Sequence, residues 1–125
     1  MKILIVDDSL LDRKLLVNML KKSGVAQEIL QAADGDEGLT VVGQNFKDIG
    51  LILLDWQMPK VNGIEFMKAT VNVPEVSGIP IVMITASGSD ENKRMARDVN
   101  PKLAGYLVKP YTPDQLMETI RPHLK

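Results

Sequence analysis

Several short apolar runs in this chain stop abruptly on a polar side chain, and that pattern restricts the fold more than any other feature. Leu51 to Leu54 runs into Asp55, followed by a turn closed by Pro59. Ile3 to Val6 runs into Asp7-Asp8, Ile79 to Ile84 into Thr85, and Ala104 to Val108 into Lys109-Pro110. Continuous apolar runs of strand length, bounded by turn signals, predict strands buried on both faces. Glu28 to Ala33 predicts one more strand.

Helical signals fill every gap. Ser9 offers an N-cap, with Asp12 as a weak form of the capping box. Leu11, Leu15 and Met19, with Leu16 and Leu20 beside them, predict a helix face that Gly24 ends. After the Asp34-Gly35 turn, Leu39, Val42 and Phe46 keep helical spacing. Asn62-Gly63 precedes a stripe of Ile64, Met67 and Val71, stopped by Pro74. Ser89 caps a polar helix with a thin apolar face of Met95, Ala96 and Val99, and Asn100-Pro101 terminates it. Thr112-Pro113-Asp114-Gln115 is a capping box with proline at the first helical position. The stripe of Leu116, Ile120 and Leu124 follows, with Pro122 bending its end. Strand and helix thus alternate throughout. The expectation is an α/β fold: a doubly wound, five-stranded parallel sheet with five helices and right-handed crossovers.

A chain of 125 residues suits one domain, 1–125, with a real core. The net charge of −1 argues against a nucleic-acid-binding surface. Absence of cysteine excludes disulfides, zinc–thiolate sites and thiol catalysis. Asp7 cuts the N-terminal apolar run too early for a signal peptide, and no apolar run is long enough to span a membrane. A cytoplasmic protein without membrane insertion is the resulting expectation.

In a parallel sheet all carboxyl ends of the strands lie on one edge, where ligands bind. That edge would gather Asp7, Asp8, Asp55, the Thr85 hydroxyl and the Lys109 ammonium. Clustered carboxylates repel and raise one another's pKa. Lys109 and a hard divalent cation, Mg²⁺ in particular, would relieve the repulsion. Other features point elsewhere. Most methionines read as core filling, and the lone His123 makes a Ser-His-Asp triad implausible. Glycine-rich nucleotide-binding patterns are absent. Trp56, the sole tryptophan, stands next to the acidic cluster.

With Asp7-Asp8, Asp55, Thr85 and Lys109-Pro110 in this order, the chain resembles a response-regulator receiver domain from end to end. Asp-Trp-Gln-Met-Pro, the segment from Gly63 to Lys68, and Pro80-Ile81-Val82-Met83 resemble its chemotaxis-type, single-domain CheY-like branch. The resemblance implies a flavodoxin-like sheet in the order 2-1-3-4-5. It implies Asp55 as phosphoacceptor, with Asp8 and Asp55 binding Mg²⁺ directly, Asp7 through water, and the Gln57 carbonyl as a further ligand. Lys109 would pair with Asp55 and then with phosphoryl oxygens, and Lys109-Pro110 would be a cis peptide. Thr85 would move toward the phosphoryl group and Tyr106 would turn inward behind it. The implied partners are a histidine kinase as phosphodonor and a protein target on the face of the fourth helix, fifth strand and fifth helix. Arg94, Lys102, Tyr106 and Gln115 are candidate contacts there.

Such a protein would have no output domain and would turn over nothing but its own phosphoryl group. Gln57 and Ser87 occupy the variable rim positions that bear on phosphoryl lifetime. The segment from Thr85 to Lys109 is slightly longer than in typical relatives. A rival reading is a phosphorelay intermediate that passes phosphate to another histidine. A Mg²⁺-dependent phosphatase of the haloacid dehalogenase type would need a second Asp where this chain has Gln57. A pseudo-receiver that only binds partners would not need the intact acidic set.

Overall fold

The computed structural model describes residues 1–124. Its strands are β1 (Lys2–Val6), β2 (Glu28–Ala32), β3 (Ile49–Leu54), β4 (Ile81–Thr85) and β5 (Gly105–Val108). Alternating with them are α1 (Leu10–Lys22), α2 (Gly35–Asn45), α3 (Gly63–Val71), α4 (Asp90–Val99) and α5 (Pro113–Ile120). All strand pairings are parallel, in the order β2-β1-β3-β4-β5. The doubly wound arrangement expected from the alternation is observed, and so is the flavodoxin-like strand order that the resemblance implied.

The period-two alternation of side chains along a strand splits the core into two layers. Leu4, Val6, Ile52, Leu54, Ile81 and Met83 face α2, α3 and α4, where Val42, Phe66, Met67 and Ala96 meet them. Ile3, Ile5, Leu51, Leu53, Val82 and Ile84 face α1 and α5, packing on Leu16, Leu20, Leu116 and Ile120. A sheet covered on both sides explains why its central strands read as unbroken apolar runs.

Local chemistry sets the helix ends. Ser9, Asp34, Asn62, Ser89 and Thr112 each cap a helix by accepting a backbone N–H. Full reciprocal capping boxes form at Asn62–Glu65 and Thr112–Gln115. The pair Ser9–Asp12 is different: Asp12 N–H donates to the Ser9 hydroxyl, but the Asp12 carboxylate goes elsewhere. Gly24 takes a left-handed φ of 88° just past α1, a conformation cheap only for glycine. Pro122 ends α5 at Ile120, and a short 3₁₀ turn, Arg121–His123, follows.

Three expectations need correction. The buried stripe of α1 is Leu16 and Leu20, whereas Leu11 and Leu15 are 65% and 55% exposed. Leucine spacing alone could not separate these two neighbouring stripes. On α4, Met95 is exposed and Ala96 alone is fully buried, so the helix is held even more thinly than its sequence suggests. Strand starts also move inward: β4 begins at Ile81 and β5 at Gly105. Pro80 lacks an N–H and uses its carbonyl to receive Ile52 N–H before the ladder proper starts.

Candidate functional site

The last rungs of the sheet set the positions of the polar residues. Asp7 N–H donates to the Ala32 carbonyl, Asp55 N–H to the Val6 carbonyl, and Lys109 N–H to the Thr85 carbonyl. Each side chain therefore leaves the sheet from a backbone still held by the ladder, on the carboxyl edge. Carboxylate oxygens of Asp7, Asp8 and Asp55 all lie within 4.8 Å of one another. Asp7 and Asp55 are buried and Asp8 is exposed, so the cluster has a wet side through which a ligand can enter.

Close backbone approach shapes the floor. Gly63 N–H donates to the Trp56 carbonyl at 2.8 Å. A Cβ on Gly63 would stand 2.5 Å from the Asp55 carbonyl oxygen, so only glycine lets α3 start this close. Gly35 is tighter still, since its Cβ would meet the Val61 carbonyl oxygen at 2.0 Å. The loop from Trp56 to Asn62 is thereby wedged between β3 and α2.

Charge in the site is unevenly shared. The Lys109 ammonium donates to Asp12 Oδ2 at 2.9 Å and Asp7 Oδ2 at 3.0 Å, and stands 3.6 Å from Asp55 Oδ2. Asp7 Oδ1 accepts from Ser9 N–H, and Asp55 Oδ1 accepts from Trp56 N–H at 2.7 Å. Burial pushes the Asp55 carboxyl from the ordinary 3.8 up to about 6. Lys109 opposes the rise, Asp7 adds to it, the Trp56 N–H opposes it and Asp8 adds to it. Burial pulls Lys109 the other way, but its hydrogen bonds to Asp12 and Asp7 carry it well above the ordinary lysine value. The ammonium bonds two carboxylates at hydrogen-bond length and stands farther from the third, Asp55, so it offsets the effect of burial there only in part. Tyr111, half-buried beside them, is pushed up to about 12 by loss of solvent around its hydroxyl.

A hard divalent cation fits this donor set. The cluster presents oxygen ligands only, one of its carboxylates is held above its normal pKa, and Asp8 faces solvent. Oxygen-rich, partly hydrated sites are what Mg²⁺ prefers.

Beyond the acidic cluster, hydrogen bonds link the edge to the outer face. Ser87 N–H donates to Thr85 Oγ1 at 3.3 Å. The Ser87 carbonyl accepts from the Tyr106 hydroxyl at 2.7 Å, and the Ser87 hydroxyl accepts from Asn92 Nδ2 on α4. Lys93 sits 5.9 Å above the Tyr106 ring, within cation–π range. Ser87 thus ties β4, β5 and α4 together. Just before β5, buried Asn100 accepts from Lys102 N–H with its Oδ1.

Asp7, Asp8, Asp55, Thr85 and Lys109 all emerge on this edge, and Gln57 lies in the exposed loop just past Asp55. The Lys109–Pro110 peptide is cis. Two residues carry more than their sequence suggested. Asp12 looked like a capping residue and is the shortest partner of Lys109. Ser87 looked like a rim position and joins three elements. No local pattern signals either role, because each depends on a partner in another element: Lys109 for Asp12, and Tyr106 and Asn92 for Ser87.

Comparison with known proteins agrees with this geometry. Residues 3–121 match the family profile of the response regulator receiver domain. The chain is 32% identical over 120 residues to a chemotaxis protein CheY homolog of Campylobacter jejuni, covering 96% of this chain and 89% of that protein. It is 33% identical to the chemotaxis protein CheY1 of Helicobacter pylori, covering 96% and 94%. Among solved structures, the chemotaxis response regulator CheY4 of Vibrio cholerae superposes with a TM-score of 0.85 at 34% identity, covering 98% of each chain.

Proposed function

The chain belongs to the response regulator receiver domain family, in its CheY-like branch, and from that premise we propose that it is a phosphorylation-operated switch in two-component signalling, with Asp55 as the phosphoacceptor. One observation carries the reading. Asp55 is the buried carboxylate at the end of the central strand, flanked by Asp7 and Asp8 and left under-compensated by Lys109. A nucleophile so placed is rigid, largely desolvated and surrounded by groups suited to the incoming charge.

In the proposed reaction an Asp55 oxygen attacks the phosphorus of a phosphohistidine on a kinase. The O–P bond forms as the P–N bond breaks, and the electron pair returns to the imidazole nitrogen, which is then protonated. Asp7, Asp8, Asp55 and the Gln57 carbonyl would hold Mg²⁺. When bound, the ion balances the negative charge of the carboxylates and phosphoryl oxygens. Lys109 supplies the fixed positive charge of the chain itself. Trp56 N–H holds one Asp55 oxygen in place. The Thr85 hydroxyl is the donor proposed to turn toward the phosphoryl oxygens.

That turn would weaken the bond from Ser87 N–H to Thr85 and pull on Tyr106 and Asn92 through Ser87. The output is proposed to be a protein-binding surface on α4, β5 and α5, with Arg94, Lys102, Tyr106 and Gln115 on it. Catalysis on external substrates is not part of the reading, and a cytoplasmic location goes with it. Among the described residues, no helix is long and apolar enough to cross a membrane.

A relay role is the second reading, and one feature favours it. Leu10, Leu11 and Leu15 on α1 are 55%, 65% and 55% exposed, an apolar patch at the same end of the sheet as Asp7 and Asp8. Such a patch suits a helix bearing a histidine that receives the phosphoryl group.

Acetyl phosphate with Mg²⁺ should add one phosphoryl group, detected by intact mass, and Asp55→Asn should abolish it. Retention of the same stoichiometry in that variant would mean another acceptor.

A further inference from the structure

Lys109 has one more close carboxylate than a phosphoacceptor site needs. Asp12 Oδ2, at 2.9 Å, is nearer than Asp7 at 3.0 Å and much nearer than Asp55 at 3.6 Å. Asp12 stands in the first turn of α1, where a capping carboxylate ordinarily folds back onto the N-cap N–H. Here the Ser9 N–H is taken by Asp7 Oδ1. The Asp12 side chain is free to reach a partner 97 residues away. The first turn of a helix also favours a negative charge at this spot.

Exposure separates the three carboxylates. Asp7 and Asp55 are 8% and 11% exposed at the side chain, and Asp12 is 39% exposed. If the ammonium moves, water can replace it on Asp12 but hardly on Asp7. Room for that move exists. Asp7, Asp12, Asp55, Lys109 and Tyr111 line one cavity of about 400 Å³, walled by apolar side chains of α1 and the sheet. An ammonium has three donors. Two are used at hydrogen-bond length, and the distance to Asp55 is too long for a third.

We infer that Asp12 is a positioning residue: it holds Lys109 back from Asp55 and competes with the phosphoryl group for the ammonium. This inference rests on the phosphoacceptor reading. A phosphoryl group on Asp55 draws Lys109 inward with more charge than the carboxylate alone. The Asp12 contact is the one that lengthens in response, because its loss is made good by water. Asp12 therefore weakens the grip of Lys109 on the phosphoryl group, and tunes it without touching the reacting atoms.

The test is a double-mutant cycle read by Trp56 fluorescence. Full-length wild type, Asp12→Asn, Lys109→Ala and the double variant are titrated with beryllofluoride at saturating Mg²⁺. Asp12→Asn keeps the cap, which uses only the Asp12 backbone N–H. It should bind beryllofluoride roughly three- to fivefold more tightly, the range of a partly exposed ion pair. In the Lys109→Ala background the same substitution should change nothing, and Asp12→Glu should return affinity toward wild type. Equal or weaker binding by Asp12→Asn overturns the inference. So does tightening that persists without Lys109, which would show a general field effect of the lost charge. A wild type that gives no response to beryllofluoride overturns the phosphoacceptor reading together with this inference; a responsive wild type with a flat cycle overturns the role of Asp12 alone.

Discussion

Removing the charge of Asp55 should make the metal-free protein more stable. The carboxylate is 11% exposed at the side chain and stands 3.6 Å from an ammonium already bonded to Asp7 and Asp12. Its pKa rises from 3.8 to about 6 in the fold, led by burial. Between those values the unfolded chain has lost its proton while the native site keeps it. Stability contributed by the protonated group is thus full below about pH 4, falls as pH rises through about 6, and is gone above that. A shift of about 2 units corresponds to about 3 kcal/mol. Asp55→Asn keeps the shape and can still accept the Trp56 N–H. Urea unfolding in EDTA at pH 7.5 should show a gain of about 1–3 kcal/mol, or a midpoint raised by roughly 1 M. At about pH 4 the gain should shrink nearly to zero, because the wild-type group is then protonated in the fold. Added Mg²⁺ should stabilise the wild type and leave the variant nearly unmoved. A variant that is less stable than wild type at pH 7.5, or a gain of equal size at both pH values, would refute the view that Asp55 is short of compensation.

Mg²⁺ titration should change Trp56 fluorescence, and Asp8→Asn should weaken the response at least tenfold, since it removes a hard ligand from the wet side of the cluster; an unchanged titration would sink the metal assignment. Gly35→Ala should destabilise the fold by about 2 kcal/mol or more in the same urea assay, because the new Cβ would overlap the Val61 carbonyl; a neutral substitution would mean that the loop shifts freely. Amide exchange with and without beryllofluoride should change across residues 86–116 as well as beside Asp55. A change confined to the loops around Asp55, or one centred on α1, would count against the α4–β5–α5 output face, and the α1 pattern would favour the relay.

Much of the fold could be read in advance because its signals are local. Leu51 to Leu54 is apolar on both faces only because helices cover both sides of the sheet, and caps such as Asn62 and Thr112 are satisfied within their own helices. The acidic edge was legible for a related reason: topology alone brings strand ends together, whatever the side chains do. The misread features are those that a second element decides. Leu11 and Leu15 fit a helical stripe as well as Leu16 and Leu20 do; only the angle at which α1 meets the sheet exposes one pair and buries the other. Asp12 has the sequence of a cap and the contacts of an ion-pair partner, because Asp7 had already taken the Ser9 N–H.

The thin anchoring of α4 and the hydrogen bonds at Ser87 make one argument together. Ala96 alone of the helix residues is fully buried, so few apolar contacts oppose a shift of α4. Against that, Asn92 holds the helix to Ser87, and Lys93 lies over the ring of Tyr106, whose hydroxyl is tied to the Ser87 carbonyl. A helix with so little buried apolar surface, linked through Asn92 to Ser87, can be repositioned by a change at that residue. Ser87 is bonded in turn to the hydroxyl oxygen of Thr85, at the edge where the carboxylates meet. The path from acidic edge to outer face is therefore short and polar. It passes through Ser87, and its far end is α4, the α-helix with the fewest buried residues. A core-anchored helix such as α3, with Ile64, Phe66 and Met67 buried, would resist the same pull. This difference in anchoring is the physical reason to expect the response to phosphorylation on α4 and β5 rather than on α3.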